Sequence, residues 1–279
     1  MKIIGVDMGG TNVRAALVED KKILKVESRE ISSKGKEDVI MGEVIGTIEK
    51  VFDDEVEGIG FGVPAIIDEK GVVYELANVD SWKKVEVKCK LEEKFKVPVV
   101  VNNDANCFAL GEFYFGAGKG KQNFVGLIMG TGVGAGVIAN GKLFSGQNFG
   151  AGEFGEVVYL DSKFENYCSS KYLEEIGGMK GEELFEKAKK GDKKTKKVFE
   201  EFGKHAGRLI SVIVNTVDPE LIVIGGSVSK SFKFFEKDMM KSAKDFMYGQ
   251  SFKNLKIERA KLENSALLGV AALYLDSRK

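Results

Sequence analysis

Asp7-Met8-Gly9-Gly10-Thr11-Asn12-Val13-Arg14 follows an apolar, β-branched run, and this order predicts a strand that enters a tight, glycine-rich turn. A second segment of the same kind, Gly130-Thr131-Gly132-Val133-Gly134-Ala135-Gly136, follows another apolar run. Glycines after a strand let backbone N–H groups approach a ligand without interference from a Cβ atom, and oligophosphates most often require this. The two segments therefore predict a nucleotide held between two similar halves. Two ordinary β-hairpin turns are the alternative interpretation.

Two other buried strands end in residues of similar character. The run 221–224 ends in Gly225-Gly226-Ser227, and the run 99–101 ends in Asn102-Asn103-Asp104. Because ligands of open α/β sheets collect at the carboxyl ends of strands, we expect all four turns to face one cleft. Neither glycine segment is a Walker A loop, since no Gly-Lys-Ser/Thr follows, and their spacing does not fit the G-x-G-x-x-G dinucleotide motif.

The composition is that of an ordinary soluble enzyme. The 279 residues are enough for two lobes, and 42 Lys+Arg against 42 Asp+Glu argue against binding to nucleic acid or an anionic membrane. No apolar run reaches the roughly 18 residues of a membrane helix, and the N-terminus opens into a strand without a signal peptide, so we expect a cytoplasmic protein. Cys89, Cys107 and Cys168 lie far apart and are interpreted as small buried hydrophobes.

Strands alternate with helical stretches along the chain, which is typical of the α/β class. Glutamates are interleaved around the lysine-rich run 187–194, so this run is interpreted as a solvated helix–turn–helix face. The expected strands are 2–6, 14–18, 22–28, 58–62 and 99–101, and the expected helices are 36–52, 87–95, 105–115, 207–217 and 265–275, with a further helical stretch over 181–205.

Taken in order, these motifs resemble the ROK (repressor, ORF, kinase) family of sugar kinases and sugar-responsive repressors in the actin-like ATPase superfamily. The resemblance implies a two-lobed α/β fold of the actin-like ATPase (ribonuclease H-like) type, with a nucleotide and sugar cleft between the lobes. It implies an N-terminal lobe of 1–115 joined by the C-terminal helix 263–279, and a second lobe of 116–262. The motifs that carry it are 7–14, 58–64, 103–106, 115–118, 130–136, 150–155, 173–174, 225–226 and 265–269.

The resemblance implies ATP-dependent phosphorylation of a hexose hydroxyl, with Asp104 as the general base. Capping of the following helix is the alternative role for Asp104, and a turn that bonds its own backbone is the alternative for Asp7. Asp7 would hold Mg²⁺ through water. The residues implied to bind ATP are Asp7, Gly9, Gly10, Thr11, Asn12, Gly130, Thr131, Gly132, Gly225 and Gly226, and those implied to bind the sugar are Asn78, Asn103, Asp104, Glu153, Glu156 and Glu174.

One departure from the family concerns its structural zinc. Most members carry Glu-x-Gly-His and then Cys-x-Cys-Gly-x-x-Gly-Cys-Leu/Ile-Glu, whose histidine and cysteines bind the metal. Here Glu156 replaces the histidine and only Cys168 stands upstream of Leu173-Glu174, so we predict no structural zinc. The sole histidine, His205, is interpreted as a structural residue. Family kinases usually have glycine at the position of Ala65. Together with Glu156, this second departure leaves the identity of the sugar substrate open.

The leading prediction is a ROK hexokinase that prefers glucose, followed by fructose, mannose and N-acylhexosamines such as N-acetylmannosamine or N-acetylglucosamine. A non-catalytic sugar sensor is the second hypothesis, although the six residues before Asp7 leave no room for the helix-turn-helix of such regulators. Another actin-like ATPase without a sugar substrate is the third. By resemblance, we expect a homodimer or homotetramer that binds a small-molecule sugar.

Overall fold

The computed structural model describes residues 1–76, 79–147, 150–246 and 248–279. Short β-branched runs form the strands, as the α/β pattern predicts. The strands are β1 (Lys2–Met8), β2 (Asn12–Glu19), β3 (Lys22–Glu30), β4 (Val56–Val63), β5 (Ile66–Ile67), β6 (Val73–Tyr74), β7 (Lys84–Val85), β8 (Val99–Asn103), β9 (Phe124–Met129), β10 (Val133–Ala139), β11 (Lys142–Leu143), β12 (Val158–Tyr159), β13 (Ser162–Lys163), β14 (Leu221–Gly225) and β15 (Lys256–Arg259).

The helices lie between these strands, and most bury one apolar stripe. They are α1 (Glu37–Glu49), α2 (Val87–Phe95), α3 (Asp104–Phe115), α4 (Glu165–Cys168), α5 (Ser170–Gly177), α6 (Gly181–Lys189), α7 (Lys193–Val217), α8 (Phe232–Lys244), α9 (Gly249–Asn254) and α10 (Ser265–Ser277), with single 3₁₀ turns at Phe154–Glu156 and Ser227–Ser231.

The chain forms two compact units. The first consists of 1–120, 142–151 and 261–279, and the second of 121–141 and 152–260. The lobes inferred from the sequence, with boundaries at 115, 116, 262 and 263, remain our proposal for the domain organisation. No helix within the described ranges is long and apolar enough to cross a membrane.

The same strand arrangement occurs in both units. In the first, β1 pairs antiparallel with β2 and parallel with β4, and β4 pairs parallel with β8. In the second, β9 pairs antiparallel with β10 and parallel with β14, and β14 pairs parallel with β15. Each unit therefore has a hairpin whose turn lies beside the carboxyl ends of two parallel strands, which is where α/β sheets bind ligands.

Helix α10 packs directly on the first sheet because alternate residues of β4 are glycine. A Cβ atom at Gly60 would overlap the carbonyl oxygen of Val270, and one at Gly58 would overlap the ring of Tyr274. The Tyr274 hydroxyl donates a hydrogen bond to the carbonyl of Glu57 at 2.7 Å. The glycine alternation in β4 thus lets a helix from the end of the chain complete the core of the first unit.

The predicted break between a helical stretch over 181–205 and a helix from Gly207 is wrong. The chain turns earlier, within the run 187–194, where a helix–turn–helix was predicted correctly. Asp192 caps α7 there by accepting the Thr195 N–H at 2.8 Å, and α7 then runs through both of its interior glycines. A Cβ atom at Gly203 would lie 2.8 Å from the carbonyl oxygen of Phe235, and one at Gly207 would overlap that of Met239. These glycines therefore allow close packing against α8 rather than ending the helix.

The three cysteines are free, and two of them are buried as predicted. Burial raises the pKa of Cys107 and of Cys168, which keeps both thiols protonated and unreactive. Cys89 is exposed, so its interpretation as a buried hydrophobe is wrong. Helix α2 buries Val87 and Leu91, which lie four residues apart on one face, and Cys89 falls between them on the opposite face.

Candidate active site

The carboxyl ends of β1, β4 and β8 form one edge of the first sheet. Asp7 pairs in register with Gly62, and Gly62 pairs with Asn102. Asn103 and Asp104 follow directly at the end of β8. The residue predicted to hold the metal and the residue predicted to act as base are therefore placed at the same edge by three neighbouring strands.

Asp104 is the first residue of α3, but the capping role belongs to its neighbour. The side-chain oxygen of Asn103 accepts the Ala105 N–H at 2.8 Å, in the geometry of an N-cap. Asp104 Oδ1 also accepts this N–H, at 2.9 Å. Burial raises the pKa of the Asp104 carboxyl above its ordinary value, and the like charge of Asp7 raises it further, although the Ala105 N–H opposes both. A carboxylate with a raised pKa is a stronger proton acceptor.

The turn after β1 is closed by hydrogen bonds within the turn, and the carboxylate of Asp7 takes no part in closing it. The Gly9 N–H donates to the Asn12 carbonyl at 2.8 Å, and the exposed Asn12 amide donates to Thr11 Oγ1 at 3.0 Å. Asp7 instead accepts a charged hydrogen bond from Arg14 Nη2 at 2.6 Å. This pairing fixes the carboxylate orientation, as an aspartate that binds a ligand requires.

Two glycine turns meet at the corresponding edge of the second sheet. The Gly130 N–H donates to the Gly132 carbonyl at 2.9 Å, and a Cβ atom at Gly130 would lie 3.7 Å from Ser227 Oγ. Gly226 has a φ of +82°, and any Cβ there would overlap the carbonyl oxygen of Met129. Only glycine fits this position, because both the backbone conformation and the close approach exclude a side chain.

The segment from α4 to α5 lies along the Gly130 turn. Glu165 Oε2 accepts the Val133 N–H at 3.0 Å, and the Ser170 N–H donates to the Gly130 carbonyl at 2.7 Å. A Cβ atom at Gly132 would lie 2.5 Å from Glu165 Oε2. The second unit thus holds its own glycine turn by two hydrogen bonds from one segment.

A cavity of about 610 Å³ opens beside Gly226 in the second unit, and Ser227 and Val228 form part of its wall. Glu174 lines the same cavity, where its Oε1 accepts the Gly181 N–H at 3.0 Å and its Oε2 lies 3.5 Å from Lys180 Nζ. The Gly181 N–H and then Lys180 lower the pKa of Glu174, which keeps it ionised. This volume is in the range of cavities that hold small ligands.

The remaining residues predicted to contact sugar are spread over both units. Glu153 precedes the 3₁₀ turn Phe154–Glu156 and Glu156 ends it, and both glutamates are exposed. Glu156 Oε1 pairs with Lys163 Nζ at 2.5 Å. The Asn103 amide donates to the Ala65 carbonyl at 3.5 Å, which places the Ala65 departure beside a predicted sugar contact. Asn78 lies outside the described residues, and its role stays a prediction.

A family model described as "ROK family" matches residues 3–277. The chain belongs to the ROK family. A glucokinase of Thermotoga maritima is 30% identical over 98% of this chain and 97% of its own length. An N-acetyl-D-glucosamine kinase of Photobacterium profundum is 27% identical over 85% of this chain and 87% of its own length.

The solved ROK glucokinase of Streptomyces griseus, in complex with glucose and AMPPNP, superposes with a TM-score of 0.81 at 27% identity, covering 98% of this chain and 99% of that one. The predicted membership of the ROK family and the predicted actin-like ATPase fold class are both confirmed.

The ROK zinc motif has been replaced in this chain by a different set of contacts. Counted back from Leu173-Glu174, its three cysteine positions fall on Glu165, Tyr167 and Tyr172, while Glu156 takes the histidine position. Lys163 Nζ lies between the two glutamates, 2.5 Å from Glu156 and 3.4 Å from Glu165. In the described part of the chain, no group of three or more His, Cys, Asp or Glu side chains is arranged to hold a metal ion.

No role was predicted from the sequence for Arg14, Lys163 or Glu165. Arg14 ends the motif 7–14, and strand pairing could have revealed its role, because β1 and β2 pair antiparallel and place it opposite Asp7. Glu165 carried no local signal, since its partner Val133 is 32 residues away along the chain. Lys163 is seven residues from Glu156, a spacing that marks no particular contact outside a regular helix. Charged residues are usually solvated, so sequence alone favours that interpretation.

Proposed function

We propose that this ATP-dependent sugar kinase phosphorylates a hexose hydroxyl, with glucose as the preferred sugar. The observation that carries the proposal is the Asp104 carboxylate, which follows the carboxyl end of β8, is partly exposed, and has a pKa raised by burial and by the nearby Asp7. Its kinase relatives act on glucose and N-acetyl-D-glucosamine, by their names. An N-acylhexosamine kinase is the alternative, favoured by Glu156 in the position of the usual ROK histidine, and a fructokinase is the next.

Asp104 would accept the proton of the attacking sugar hydroxyl as the oxygen–phosphorus bond forms. The Ala105 N–H holds Oδ1 at 2.9 Å, so the carboxylate is oriented before substrate binds. Asn103 supports this position by capping α3 and would also contact the sugar. Phosphoryl transfer otherwise depends on positioning and on stabilising charge, because the transition state makes few covalent demands on the protein.

The glycine turns would bind the nucleotide phosphates through backbone N–H groups. We assign this role to Gly9, Gly10, Thr11 and Asn12 in the first unit and to Gly130, Thr131 and Gly132 in the second. Gly225 and Gly226 would lie beside the adenosine.

The Asp7 carboxylate fits a hard divalent cation, which prefers oxygen ligands. Arg14 orients this carboxylate, and it lies close enough to Asp104 for the two charges to interact. Mg²⁺ bound there through water would neutralise charge on the transferred phosphoryl group. The residues that stand at the ROK zinc positions supply at most carboxylate and phenol oxygens, which do not fit the thiolate and imidazole set of a structural zinc. Absence of zinc stays a prediction, which elemental analysis of the purified protein would test.

Sugar recognition is assigned to Asn78, Asn103, Asp104, Glu153, Glu156 and Glu174. Ionised carboxylates accept hydrogen bonds from sugar hydroxyls, whereas the imidazole usual at position 156 can also donate. The pairing of Glu156 with Lys163 would give this position both a negative and a positive group. We further propose a cytoplasmic homodimer or homotetramer, which sedimentation at micromolar concentration would test.

The experiment is a coupled ADP-release assay with glucose, mannose, fructose, N-acetylglucosamine and N-acetylmannosamine, each with and without Mg²⁺. We expect sugar-dependent turnover that requires Mg²⁺ and is highest with glucose. Asp104→Asn serves as the inactive control. Turnover with an N-acylhexosamine alone would select the alternative substrate, and sugar binding by calorimetry without any turnover would indicate a sugar sensor instead of a kinase.

A further inference from the structure

His205 is the only histidine of the chain, and both of its ring nitrogens are engaged. Nδ1 lies 3.0 Å from the Tyr159 hydroxyl, and Nε2 lies 3.1 Å from the Tyr172 hydroxyl. His205 belongs to α7, whereas Tyr159 belongs to β12 and Tyr172 to α5. One side chain of the long helix therefore joins two points of the segment 153–174.

The same histidine is enclosed by aromatic rings. The Tyr167 ring centroid lies 5.0 Å from that of His205, and the Tyr159 ring stacks on Phe164 at 4.2 Å. Only 8% of the His205 surface is exposed. Tyr167 also donates from its hydroxyl to Asp161, so the outer edge of this cluster is bonded as well. We name Tyr159, Tyr167, Tyr172 and His205 the ring cluster.

The chemistry of the ring cluster suits a neutral imidazole. One nitrogen then donates and the other accepts, and a tyrosine hydroxyl can take either part, so both contacts are satisfied at once. Burial lowers the pKa of His205 below its ordinary value of 6.5, while Glu201, 3.4 Å from Nε2, opposes this and Lys204 adds to it. The other charged or titratable groups that face the cluster are Cys168, Glu175, Arg208 and Asp161.

The segment that the ring cluster holds also carries three of the proposed sugar ligands, namely Glu153, Glu156 and Glu174. Two of these lie close along the chain to bonded tyrosines: Glu156 is three residues before Tyr159, and Glu174 is two residues after Tyr172. A hydrogen-bonded tyrosine two or three residues away restrains the backbone from which each of these two carboxylates projects.

We propose that His205 is a positioning residue, which bonds Tyr159 and Tyr172 together and thereby fixes the sugar-binding segment 153–174 on α7 without a metal. The sugar part of this inference rests on the proposed function. The fixing of the segment does not, because it concerns only contacts within the second unit.

The test uses variants of the full-length protein that remove one bond at a time. Tyr159→Phe and Tyr172→Phe each delete a single hydroxyl, His205→Leu removes both bonds, and His205→Gln keeps one donor and one acceptor. Tyr248→Phe is the matched control, because Tyr248 is 83% exposed. One hydrogen bond is worth roughly a 3- to 10-fold change in an equilibrium. We therefore expect the sugar KM to rise about 3- to 10-fold in each Tyr→Phe variant, with ATP KM and kcat changed less than about 2-fold.

Amide hydrogen exchange supplies a readout that needs no activity. We expect faster exchange over 153–174 in His205→Leu and in both cluster Tyr→Phe variants, partial recovery in His205→Gln, and wild-type exchange in Tyr248→Phe. The single imidazole also gives one set of NMR signals, which should show the neutral form at pH 7 and titrate below 6.5. Because the folded pKa is lowered, the stabilisation should be complete above pH 6.5 and lost as the pH falls through the folded value.

The outcomes separate the two proposals. Unchanged exchange over 153–174 in His205→Leu would overturn the fixing role, whatever the enzyme does. Faster exchange with an unchanged sugar KM would overturn the positioning role. A wild-type protein that binds and phosphorylates none of the sugars would contradict the proposed function, while the exchange data would still decide whether the ring cluster fixes the segment.

Discussion

The two glycine turns occupy equivalent places in the two units, yet they are held in different ways. The turn after β1 is closed by its own backbone, and the charged group beside it is Asp7, paired with Arg14 from the next strand. The turn after β9 is held from outside, by Glu165 and Ser170 of a later segment. Turns at equivalent places in a similar topology are therefore stabilised in two different ways.

Glycine occurs for different reasons at Gly9, in the turn after β1, and at Gly226, which follows β14. Gly9 has nothing nearer to a Cβ atom than the Asn12 carbonyl at 3.9 Å, so no protein atom requires a glycine there and the open space suits a ligand. At Gly226 in the second unit, the Met129 carbonyl leaves no room for a side chain. In this molecule, glycines of ligand turns and glycines of close packing can be told apart by what a Cβ would meet.

The largest expected effect tests whether the chemistry lies with the first unit. Asp104→Asn should lower kcat by roughly 10²–10⁴-fold with little change in ATP KM, because only proton acceptance is lost. Steady-state kinetics with glucose check this. Near-normal turnover would show that Asp104 is not the catalytic base. It would also remove the reason for assigning the chemical step to the first unit.

The same variant should be more stable than the wild type at neutral pH. The folded pKa of Asp104 is raised, so its ionised form costs folding free energy, and asparagine removes that cost. The gain should be complete above the folded pKa and should vanish as the pH falls towards 3.8. Thermal unfolding of both proteins at several pH values measures this gain. Equal midpoints at every pH would show that the ionised Asp104 carboxylate does not destabilise the fold.

The next effect concerns packing in the second unit. Gly226→Ala should reduce the free energy of unfolding by about 2–4 kcal/mol, because it combines a positive φ with overlap of the Met129 carbonyl. Gly178→Ala is the matched control, since Gly178 has a φ of +64° and no atom within 4 Å of a Cβ. It should lose only about 1–2 kcal/mol. Equal losses in chemical denaturation would show that close approach adds nothing at Gly226.

Gly9→Ala should separate binding from folding in the first turn. We expect its kcat/KM for ATP to fall about 10-fold, because a methyl group enters the space kept for phosphate, while the free energy of unfolding changes by less than about 1 kcal/mol. Nucleotide titration and thermal unfolding of the same sample check this. Loss of stability without loss of ATP affinity would make the turn purely structural.

The smallest effect tests the outside support of the second turn. Glu165→Gln keeps an acceptor for the Val133 N–H and loses only the ion pair with Lys163, so it should cost less than about 1 kcal/mol and depend on salt. Glu165→Ala leaves that N–H without its acceptor and should cost about 1–3 kcal/mol. If both variants unfold alike, the carboxylate does not support the turn.

Much of the fold could be predicted from the sequence, because strand runs, glycine turns and motif order are local signals. The continuity of α7 could not, since its glycines resemble helix breaks until the α8 backbone is seen against Gly203 and Gly207. Cys89 was predicted to be buried because free cysteine usually is, although the helical period puts it on the exposed face between Val87 and Leu91.

Some residues of the candidate site could also be predicted from the sequence, and others could not. Asp7, Asn103 and Asp104 were predicted to lie at strand ends, and the resemblance to the ROK family supplied their roles. The sheet register places these strand ends at one edge. The ring cluster could not be predicted, because its tyrosines and His205 come from elements separated by tens of residues. Aromatic residues at helical spacing are ordinarily interpreted as core, and no local pattern marks a hydroxyl that will meet an imidazole.

The packing of α10 on the glycines of β4 has a consequence for the order of folding during synthesis. The first unit is interrupted in the chain: its sheet is complete by Asn103, but the helix that covers β1 and β4 begins only at Ser265. At roughly 5–20 residues per second, the ribosome needs on the order of 10–30 s to make the intervening chain. During that time we expect the second unit to fold as it emerges, while the glycine face of β4 stays uncovered until α10 has been made.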